Sequence, residues 1–231
     1  MATAEMAVRP GREVAAADGP PARRGIPFLV AAPSGTGKTT VCRAVVARDP
    51  DIAFSVSHTT RPPREGERDG VDYHFVSEAE FRRLVDEDAF VEWAEYAGNN
   101  YGTSWRALEE PLAAGRDLLL EIEVQGARQV RERRDDVRFL FLLPPSLAEL
   151  ERRLRARGTD SEEAIQHRLA LVRRELAAAE VFDYALVNDD LEGCIGDVLS
   201  IIAAERRGER EALRRRYGRS AVLAQWERRL G

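Results

Sequence analysis

Lysine is almost absent from this sequence. Among the 35 Lys and Arg residues in a chain of 231, Lys38 is the single lysine, and arginine occupies every other such position. We attribute the general preference for arginine to genomic base composition. A lysine that stands alone against this background marks a position that needs a compact ammonium on a flexible stem and not a planar guanidinium. The segment around Lys38 is therefore the first candidate for a functional site.

Cysteine, long apolar runs and excess positive charge are also missing. Cys42 and Cys194 are too few for a disulfide framework or a zinc site, so buried free thiols are predicted. No apolar run approaches the length of a membrane span, and residues 1–24 lack the apolar segment of a secretory signal. A net charge of −5 disfavours a dedicated nucleic-acid binder. We expect a cytoplasmic protein with no membrane or nucleic-acid partner, and residues 1–24 are predicted to be a disordered leader.

Lys38 lies in a loop of small residues between a predicted strand, Ile26–Ala31, and a predicted helix, Thr40–Arg48. In this setting backbone N–H groups converge on an anion, and the helix N-terminus adds partial positive charge. The Lys38 ammonium suits terminal phosphates, and the Thr39 hydroxyl suits Mg²⁺. A plain glycine-rich turn also connects strands to helices, but the lysine and the hydroxyl favour a P-loop. The predicted phosphate-binding segment consists of Ala32, Pro33, Ser34, Gly35, Thr36, Gly37, Lys38, Thr39 and Thr40.

Three other segments carry charges suited to phosphate chemistry, although each alone also fits a solvated surface. Arg61 and Arg64, bracketed by prolines and hydroxyls, form a rigid cationic arm. The predicted strand Leu118–Glu123 ends in carboxylates, at the end of a parallel strand where nucleotide sites lie. Predicted helices beginning near Ser146 and Ser161 bear arginines of the kind that a closing lid needs. These arginines are Arg152, Arg153, Arg155, Arg157 and Arg168.

Strands alternate with helices along the rest of the chain. Further strands are predicted at 52–56, 71–76, 90–94, 137–143 and 184–187, a turn at 98–103, and helix N-caps at Ser77, Ser104 and Ser146. This alternation predicts an α/β fold with a P-loop parallel-sheet core and helices on both faces. The core is assigned to 25–56, 108–145 and 171–207, an inserted lobe to 57–107, a helical lid to 146–170 and a charged C-terminal tail to 208–231.

From Phe28 to Asp190 the chain resembles guanylate kinase. After the P-loop come, in order, Ser-x-Ser-x-Thr-Thr-Arg-x-Pro-Arg, Phe-x-Glu-Trp, Tyr-Gly-Thr, acid-Ile-acid-x-Gln-Gly, Arg-Gly-Thr and Val-Asn-Asp-Asp. Each fragment is weak singly, and together they are highly specific. The resemblance implies transfer of the terminal phosphate of ATP to GMP, with Mg²⁺ as cofactor and a GMP-binding lobe at 57–107. It leaves the choice between monomer and homo-oligomer open.

The resemblance also implies roles for individual residues. The GMP phosphate is expected at Arg61, Arg64, Tyr73 and Tyr101, and the guanine at Ser57, Glu92, Thr103 and Glu123. Thr39 and Glu121 are expected near the metal, and Asn188 beside the adenine of ATP. Charge on the transferred phosphoryl group is expected to be neutralised by Lys38, Arg153, Arg157 and Arg168. Four positions differ from the residues that many members carry. Ala32 replaces a glycine, Thr39 replaces a serine, and Glu121 and Glu123 replace two aspartates.

Two other functions remain open on the sequence. Guanylate-kinase-like modules of scaffold proteins bind phosphopeptides on this fold and have degraded P-loops, whereas the segment Gly35–Thr40 is complete here. A kinase for another small molecule, such as a ribose phosphate, would not need Glu92 or the Tyr101–Thr103 segment. Turnover of ATP with a panel of nucleoside monophosphates separates the three.

Overall fold

A computed structural model describes residues 23–33, 35–96, 98–156, 162–163, 165–166, 169–170 and 178–228. In chain order its elements are β1 (Pro27–Ala31), α1 (Lys38–Arg48), β2 (Ile52–Phe54), β3 (His58–Thr59), β4 (His74–Phe75), α2 (Glu78–Asp86), β5 (Phe90–Tyr96), β6 (Asn99–Ser104), α3 (Trp105–Ala113), β7 (Asp117–Glu121), α4 (Val124–Arg133), β8 (Arg138–Leu143), α5 (Leu147–Ala156), a 3₁₀ turn (Ala178–Val181), β9 (Tyr184–Val187), α6 (Leu191–Arg207), α7 (Arg210–Tyr217) and α8 (Arg219–Arg228).

Five parallel strands form the main sheet in the order β2-β7-β1-β8-β9. Side chains along a strand point to alternate faces, so each apolar strand supplies two cores. Leu119 packs on one face with α1 and α6, and Leu118 and Leu120 pack on the other with α3 and α4. The predicted α/β fold with helices on both faces is confirmed.

A second sheet lies within residues 58–104, in the order β4-β3-β6-β5. Here β5 and β6 are antiparallel, with an irregular register between Phe90 and Glu92, and β3 pairs with both β4 and β6. The predicted turn at 98–103 is wrong, because Asn99–Ser104 is a strand. The predicted strand at 71–76 is also too long, since the strand consists of His74 and Phe75, and Tyr73 forms only an isolated bridge with Asp69.

Serine side chains begin three of the helices, as predicted. Ser77, Ser104 and Ser146 accept hydrogen bonds from the backbone N–H groups of Glu80, Ala107 and Glu149, at 3.0–3.1 Å. Each bond satisfies a first-turn N–H that has no partner within the helix. These caps fix where α2, α3 and α5 begin.

Both ends of the described chain contact the core. Arg23 and Arg24, assigned from the sequence to the leader, form ion pairs with Asp117 and Glu109, so contacts with the core extend back at least to Arg23. The segment assigned as a charged tail contains α7 and α8, which bury Tyr217 and Trp226. No helix among the described residues has the length and apolar character needed to cross a membrane.

Candidate active site

A cavity of about 410 Å³ lies between the carboxyl ends of the central parallel strands and the second sheet. Its wall combines P-loop residues with residues of the second sheet and of the loop after β7. The lining consists of Gly35, Gly37, Lys38, Thr39, Thr40, Phe54, Ser55, Ser57, Asp72, Tyr73, Glu92, Ala94, Glu95, Tyr96, Tyr101, Glu121, Ile122, Glu123 and Gln125. The carboxyl ends of parallel strands are where α/β proteins bind nucleotides.

The P-loop connects β1 to α1 through two glycines with left-handed backbone. Gly35 has φ 89° and Gly37 has φ 95°, values that side chains disfavour. Gly37 is the N-cap of α1 and has no side-chain oxygen to offer the first-turn N–H groups, which suits an anion there. Ala32 is buried without a positive φ, so alanine fits this turn without strain. Ser34 lies outside the described residues.

Asn188 is hydrogen-bonded to the backbone of this loop. Its side-chain Nδ2 donates a 2.7 Å hydrogen bond to the carbonyl of Thr36, and the amide is buried. A Cβ on Gly37 would lie 2.9 Å from the same nitrogen. The amide predicted to lie beside adenine therefore contacts the P-loop backbone, and its adenine role stays a prediction.

Lys38 projects from the start of α1 towards the acidic end of β7. Its Nζ donates to Glu123 Oε1 at 2.8 Å and to the Ile122 carbonyl at 3.1 Å. Burial alone would lower the pKa of Lys38, but the carboxylates of Glu123 and Glu121 outweigh it and raise the pKa. The side chain is therefore a cation at neutral pH. Beside it, the Thr39 hydroxyl donates a short hydrogen bond to Glu121.

Glu92 of β5 also lines the cavity and is 6% exposed. Its Oε1 accepts a 2.7 Å hydrogen bond from the Thr103 hydroxyl, and Ser57 Oγ lies 3.3 Å from that same hydroxyl. Burial raises the pKa of Glu92 to about 7, although the hydrogen bonds from Thr103 oppose the shift. Strand pairing brings these groups together, because Glu92 of β5 is opposite Thr103 of β6.

The cationic arm lies at the edge of the second sheet. Arg61 Nη2 donates to both carboxylate oxygens of Glu67 at 2.8 and 2.9 Å, and its guanidinium lies 5.5 Å from the Tyr73 ring centroid. Glu67 also accepts from the backbone N–H of Arg64 at 2.7 Å, and the Arg64 side chain is exposed. The rings of Tyr73 and Tyr101 meet edge to face with centroids 6.1 Å apart.

Comparison with known proteins agrees with this geometry. The family model described as guanylate kinase matches residues 24–205. A curated guanylate kinase of Sphingopyxis alaskensis is 50% identical over 192 residues, 83% of this chain and 87% of the relative. One from Neisseria gonorrhoeae is 50% identical over 184 residues, 80% of this chain and 90% of the relative.

The chain belongs to the guanylate kinase family. A crystal structure of guanylate kinase from Anaplasma phagocytophilum is 35% identical with a TM-score of 0.66, and the match covers 84% of this chain and 96% of that one. The predicted function, ATP-dependent phosphorylation of GMP, is confirmed by these relatives. The scaffold-module and other-kinase alternatives are set aside on the same ground.

The structure gathers most residues expected of a guanylate kinase around one cavity. Lys38, Thr39, Glu121 and Glu123 lie on its P-loop side, and Ser57, Tyr73, Glu92 and Tyr101 also line it. Thr103 is fully buried behind Glu92. Arg157 and Arg168 lie outside the described residues, and of Arg153 only the backbone, in α5, is described.

Sequence reasoning missed several residues of the cavity and its surroundings. Ser55, Asp72, Tyr96 and Gln125 line the cavity without having been predicted there. Asp72 also forms an ion pair with Arg43 of α1 at 3.1 Å, which links the core to the second sheet. Ser55 and Gln125 lie within motifs that carried the resemblance, and Asp72 precedes the predicted site residue Tyr73, so position in the chain was the available signal.

Proposed function

We propose that the cavity holds the donor and acceptor substrates at opposite walls, with ATP at the P-loop and GMP at the second sheet. On the donor side the proposed contacts are the backbone from Ala32 to Thr40, the Lys38 ammonium and Asn188. A left-handed glycine loop, a helix N-terminus and a cation at one position support triphosphate binding there.

The acceptor site is proposed to separate recognition of the base from recognition of the phosphate. Glu92 and Glu123 accept hydrogen bonds from the N1–H and exocyclic amine of guanine, and the Ser57 and Thr103 hydroxyls complete the polar edge. Arg61, Arg64, Tyr73 and Tyr101 hold the GMP phosphate. The bonds of Arg61 to Glu67 fix its guanidinium while leaving some of its five N–H donors for a phosphate.

The residues at the end of β7 fit Mg²⁺. The Thr39 hydroxyl and the Glu121 carboxylate are in direct contact, and both are hard oxygen donors of the kind this ion takes. Among the described residues no group of three or more His, Cys, Asp and Glu side chains is arranged as a metal site, which suits an ion held mainly by substrate phosphates. When bound, Mg²⁺ neutralises charge on the phosphates and helps to align them.

Phosphoryl transfer at this site needs no covalent intermediate. A phosphate oxygen of GMP is already the nucleophile, so the protein's part is in-line alignment of the two substrates and stabilisation of charge. Lys38 holds the terminal phosphate as charge develops, and Arg153, Arg157 and Arg168 are proposed to close over it from the lid. Closure also excludes water, which would otherwise accept the phosphoryl group.

The main support for this proposal is that Lys38 of the P-loop and Glu92 of the second sheet line the same cavity. The test is a coupled assay of ATP turnover with GMP, IMP and AMP. We expect GMP to be used best and IMP poorly, and AMP to be rejected, because a polar site built for one hydrogen-bond pattern discriminates by about 10⁴ or more. Equal use of AMP and GMP would overturn the assignment of Glu92 to the base.

We also propose, as in the sequence analysis, that the enzyme acts in the cytoplasm on these small substrates and does not bind nucleic acid. Both cysteines are buried free thiols, which suits a reducing compartment.

A further inference from the structure

Gly126 lies inside α4, where its lack of a side chain has a specific use. Its φ is not positive, so the backbone conformation does not require glycine, and glycine is a poor helix former. A Cβ built on Gly126 would lie 2.3 Å from Glu92 Oε2 and 2.7 Å from Ile122 Cγ2. Real Cβ atoms do not approach other atoms so closely. The empty position therefore makes room for the Glu92 carboxylate.

The two oxygens of Glu92 are thereby fixed from two sides. Oε1 accepts the 2.7 Å hydrogen bond from Thr103, and Oε2 faces the bare helix backbone at Gly126. A carboxylate held between a hydroxyl and a helix surface has little freedom to rotate. An added methyl group would push it towards the cavity or away from Thr103.

Gln129, one turn further along α4, fixes the backbone next to Glu92. Its Nε2 donates to the Trp93 carbonyl at 2.7 Å, and its Oε1 accepts from the Trp93 N–H at 3.2 Å. This amide pairs with Trp93 as a neighbouring strand would. Because β5 is at the end of the order β4-β3-β6-β5, the open edge of the sheet is available for this contact.

A third contact continues the same face of the helix. Arg133 Nη1 donates to the Phe90 carbonyl at 2.8 Å. Gly126, Gln129 and Arg133 have the i, i+3, i+7 spacing that places side chains along one side of a helix. Helix α4 therefore runs along β5 on both sides of Glu92.

The N-terminal end of α4 also contacts the P-loop lysine. Its N-cap is Glu123, and Lys38 binds Glu123 and the Ile122 carbonyl just before the helix begins. The N-terminal end of α4 thus lies between the P-loop lysine, which binds Glu123, and the Glu92 carboxylate, which lies against Gly126.

We propose that Gly126 and Gln129 are positioning residues for purine selection, which act by holding the Glu92 carboxylate in place. This inference rests on the base-reading role proposed above for Glu92. Neither residue needs to touch the nucleotide. Their effect is on which base is accepted, and not on binding of the donor.

The first test is Gly126→Ala, with Gly196→Ala as the matched control. Gly196 also lies inside a helix, α6, and a Cβ there meets nothing within 4 Å. For Gly126→Ala we expect the GMP-to-IMP ratio of kcat/KM to fall about tenfold, because the contact to the exocyclic amine is lost, with the KM for ATP within about twofold of wild type. Gly196→Ala should leave both values unchanged. A folded Gly126→Ala enzyme with the wild-type ratio would overturn the proposal.

The second test uses a substitution that adds no volume to the protein. It therefore remains informative if the Gly126→Ala variant does not fold. Gln129→Ala removes the bonds to Trp93, and Arg128→Ala is its control on the exposed side of the same helix, where Arg128 is 3.9 Å from Glu180. We expect Gln129→Ala to lower the GMP-to-IMP ratio about three- to tenfold with the KM for ATP unchanged. Equal loss with GMP and IMP would mean a merely structural role for Gln129 and would contradict the proposal.

Two further variants separate this inference from the proposal on which it rests. If Glu92→Gln keeps the wild-type GMP-to-IMP ratio, Glu92 does not read the base and the earlier proposal fails. If Glu92→Gln abolishes the preference while Gly126→Ala and Gln129→Ala do not, the positioning role alone fails. Glu92→Asp shortens the side chain and so moves the carboxylate away from the methyl group added by Gly126→Ala. In the Gly126→Ala background it should therefore lower the GMP-to-IMP ratio little further. Losses of the ratio that add up in the double variant would contradict direct contact between the two residues.

Discussion

In the role proposed for it, the buried carboxylate of Glu92 is both a selective and a pH-sensitive group. Almost no water reaches it, so its charged form is penalised and its pKa rises to about 7. The hydrogen bonds from Thr103 oppose this rise in pKa but do not restore the ordinary value. In the proposed complex guanine brings two N–H donors to Glu92, whereas adenine would present an acceptor at N1. The ionised carboxylate is therefore complementary to GMP and poorly matched to AMP.

The pKa of Glu92 predicts a pH dependence of GMP use. Below about pH 7 the group is protonated in the free enzyme and has lost acceptor capacity, so kcat/KM for GMP should fall about tenfold per pH unit as the pH decreases. Above that value the rate constant should level off. The measurement is the pH profile of kcat/KM from pH 5.5 to 8.5. Glu92→Gln serves as the control. The substrate phosphate still titrates in assays of this variant, but the inflection near pH 7 that is due to Glu92 should be absent from its profile.

Lys38 is expected to matter for the reaction and hardly at all for stability. The side chain is 12% exposed, and its partner Glu123 is half exposed and hydrates readily when the lysine is removed. Lys38→Ala should lower kcat by about 10²-fold or more, because the ammonium acts on charge that develops during transfer. Lys38→Arg should also fail, since a planar fork does not fit between Ile122 and Glu123. Steady-state kinetics and a thermal melt on both variants test this, and near-normal turnover by either would remove the lysine from the mechanism.

Strands and helix starts were predicted correctly from the sequence where the residues of the segment itself determine the structure. The apolar run Tyr184–Val187 is a strand with the predicted bounds, and the serine caps begin helices where expected. The segment 98–103 failed because its glycines and asparagines are typical of turns. It becomes a strand only through pairing with β3 and β5, and such pairing is not visible within the segment.

The same distinction applies to the site. The P-loop was predictable, since its glycines, lysine and hydroxyl act within one short stretch. The contacts of Gly126 with Glu92 and of Gln129 with Trp93 join positions more than 30 residues apart. Gly126 stood within the acid-Ile-acid-x-Gln-Gly motif, but the motif does not tell what the glycine faces. For Gln129 the sequence held no signal.

Asn188 allows a test of how the P-loop is held. If its main part is the bond to the Thr36 carbonyl, Asn188→Ala should loosen the loop and raise the KM for ATP and GTP by similar factors of about tenfold. Asn188→Asp keeps the size and replaces the donor with an acceptor, so it should be worse. Initial rates with the two donors at saturating GMP decide the matter. A rise for ATP alone would return Asn188 to the adenine contact that the resemblance implies.

The C-terminal helices α7 and α8 help to complete the core. Tyr217 of α7 donates a 2.6 Å hydrogen bond to Asp197 of α6, and Trp226 of α8 donates one of 2.6 Å to the Pro144 carbonyl. Pro144 follows β8 directly and leads to α5, the helix that carries Arg153. In the sequence Tyr217 stands between arginines and Trp226 precedes Glu227 and two arginines, so the segment was assigned as a charged tail. Arginine side chains can keep their charged groups in water while a few apolar residues on the opposite face of each helix are buried.

Trp226 is the sharpest test of this packing. It is 3% exposed and packs in the same cluster as Phe182 and Leu143, so Trp226→Ala should destabilise the fold by about 3–5 kcal/mol. For a protein of this size that corresponds to a fall in Tm of about 10 °C. Trp226→Phe keeps most of the ring and leaves the Pro144 carbonyl without its donor, so about 1 kcal/mol should be lost. Gln225→Ala, on the exposed side of the same helix, is the control and should leave the Tm unchanged. Equal melting of Trp226→Ala and wild type would show that α8 contributes nothing to the stability of the core.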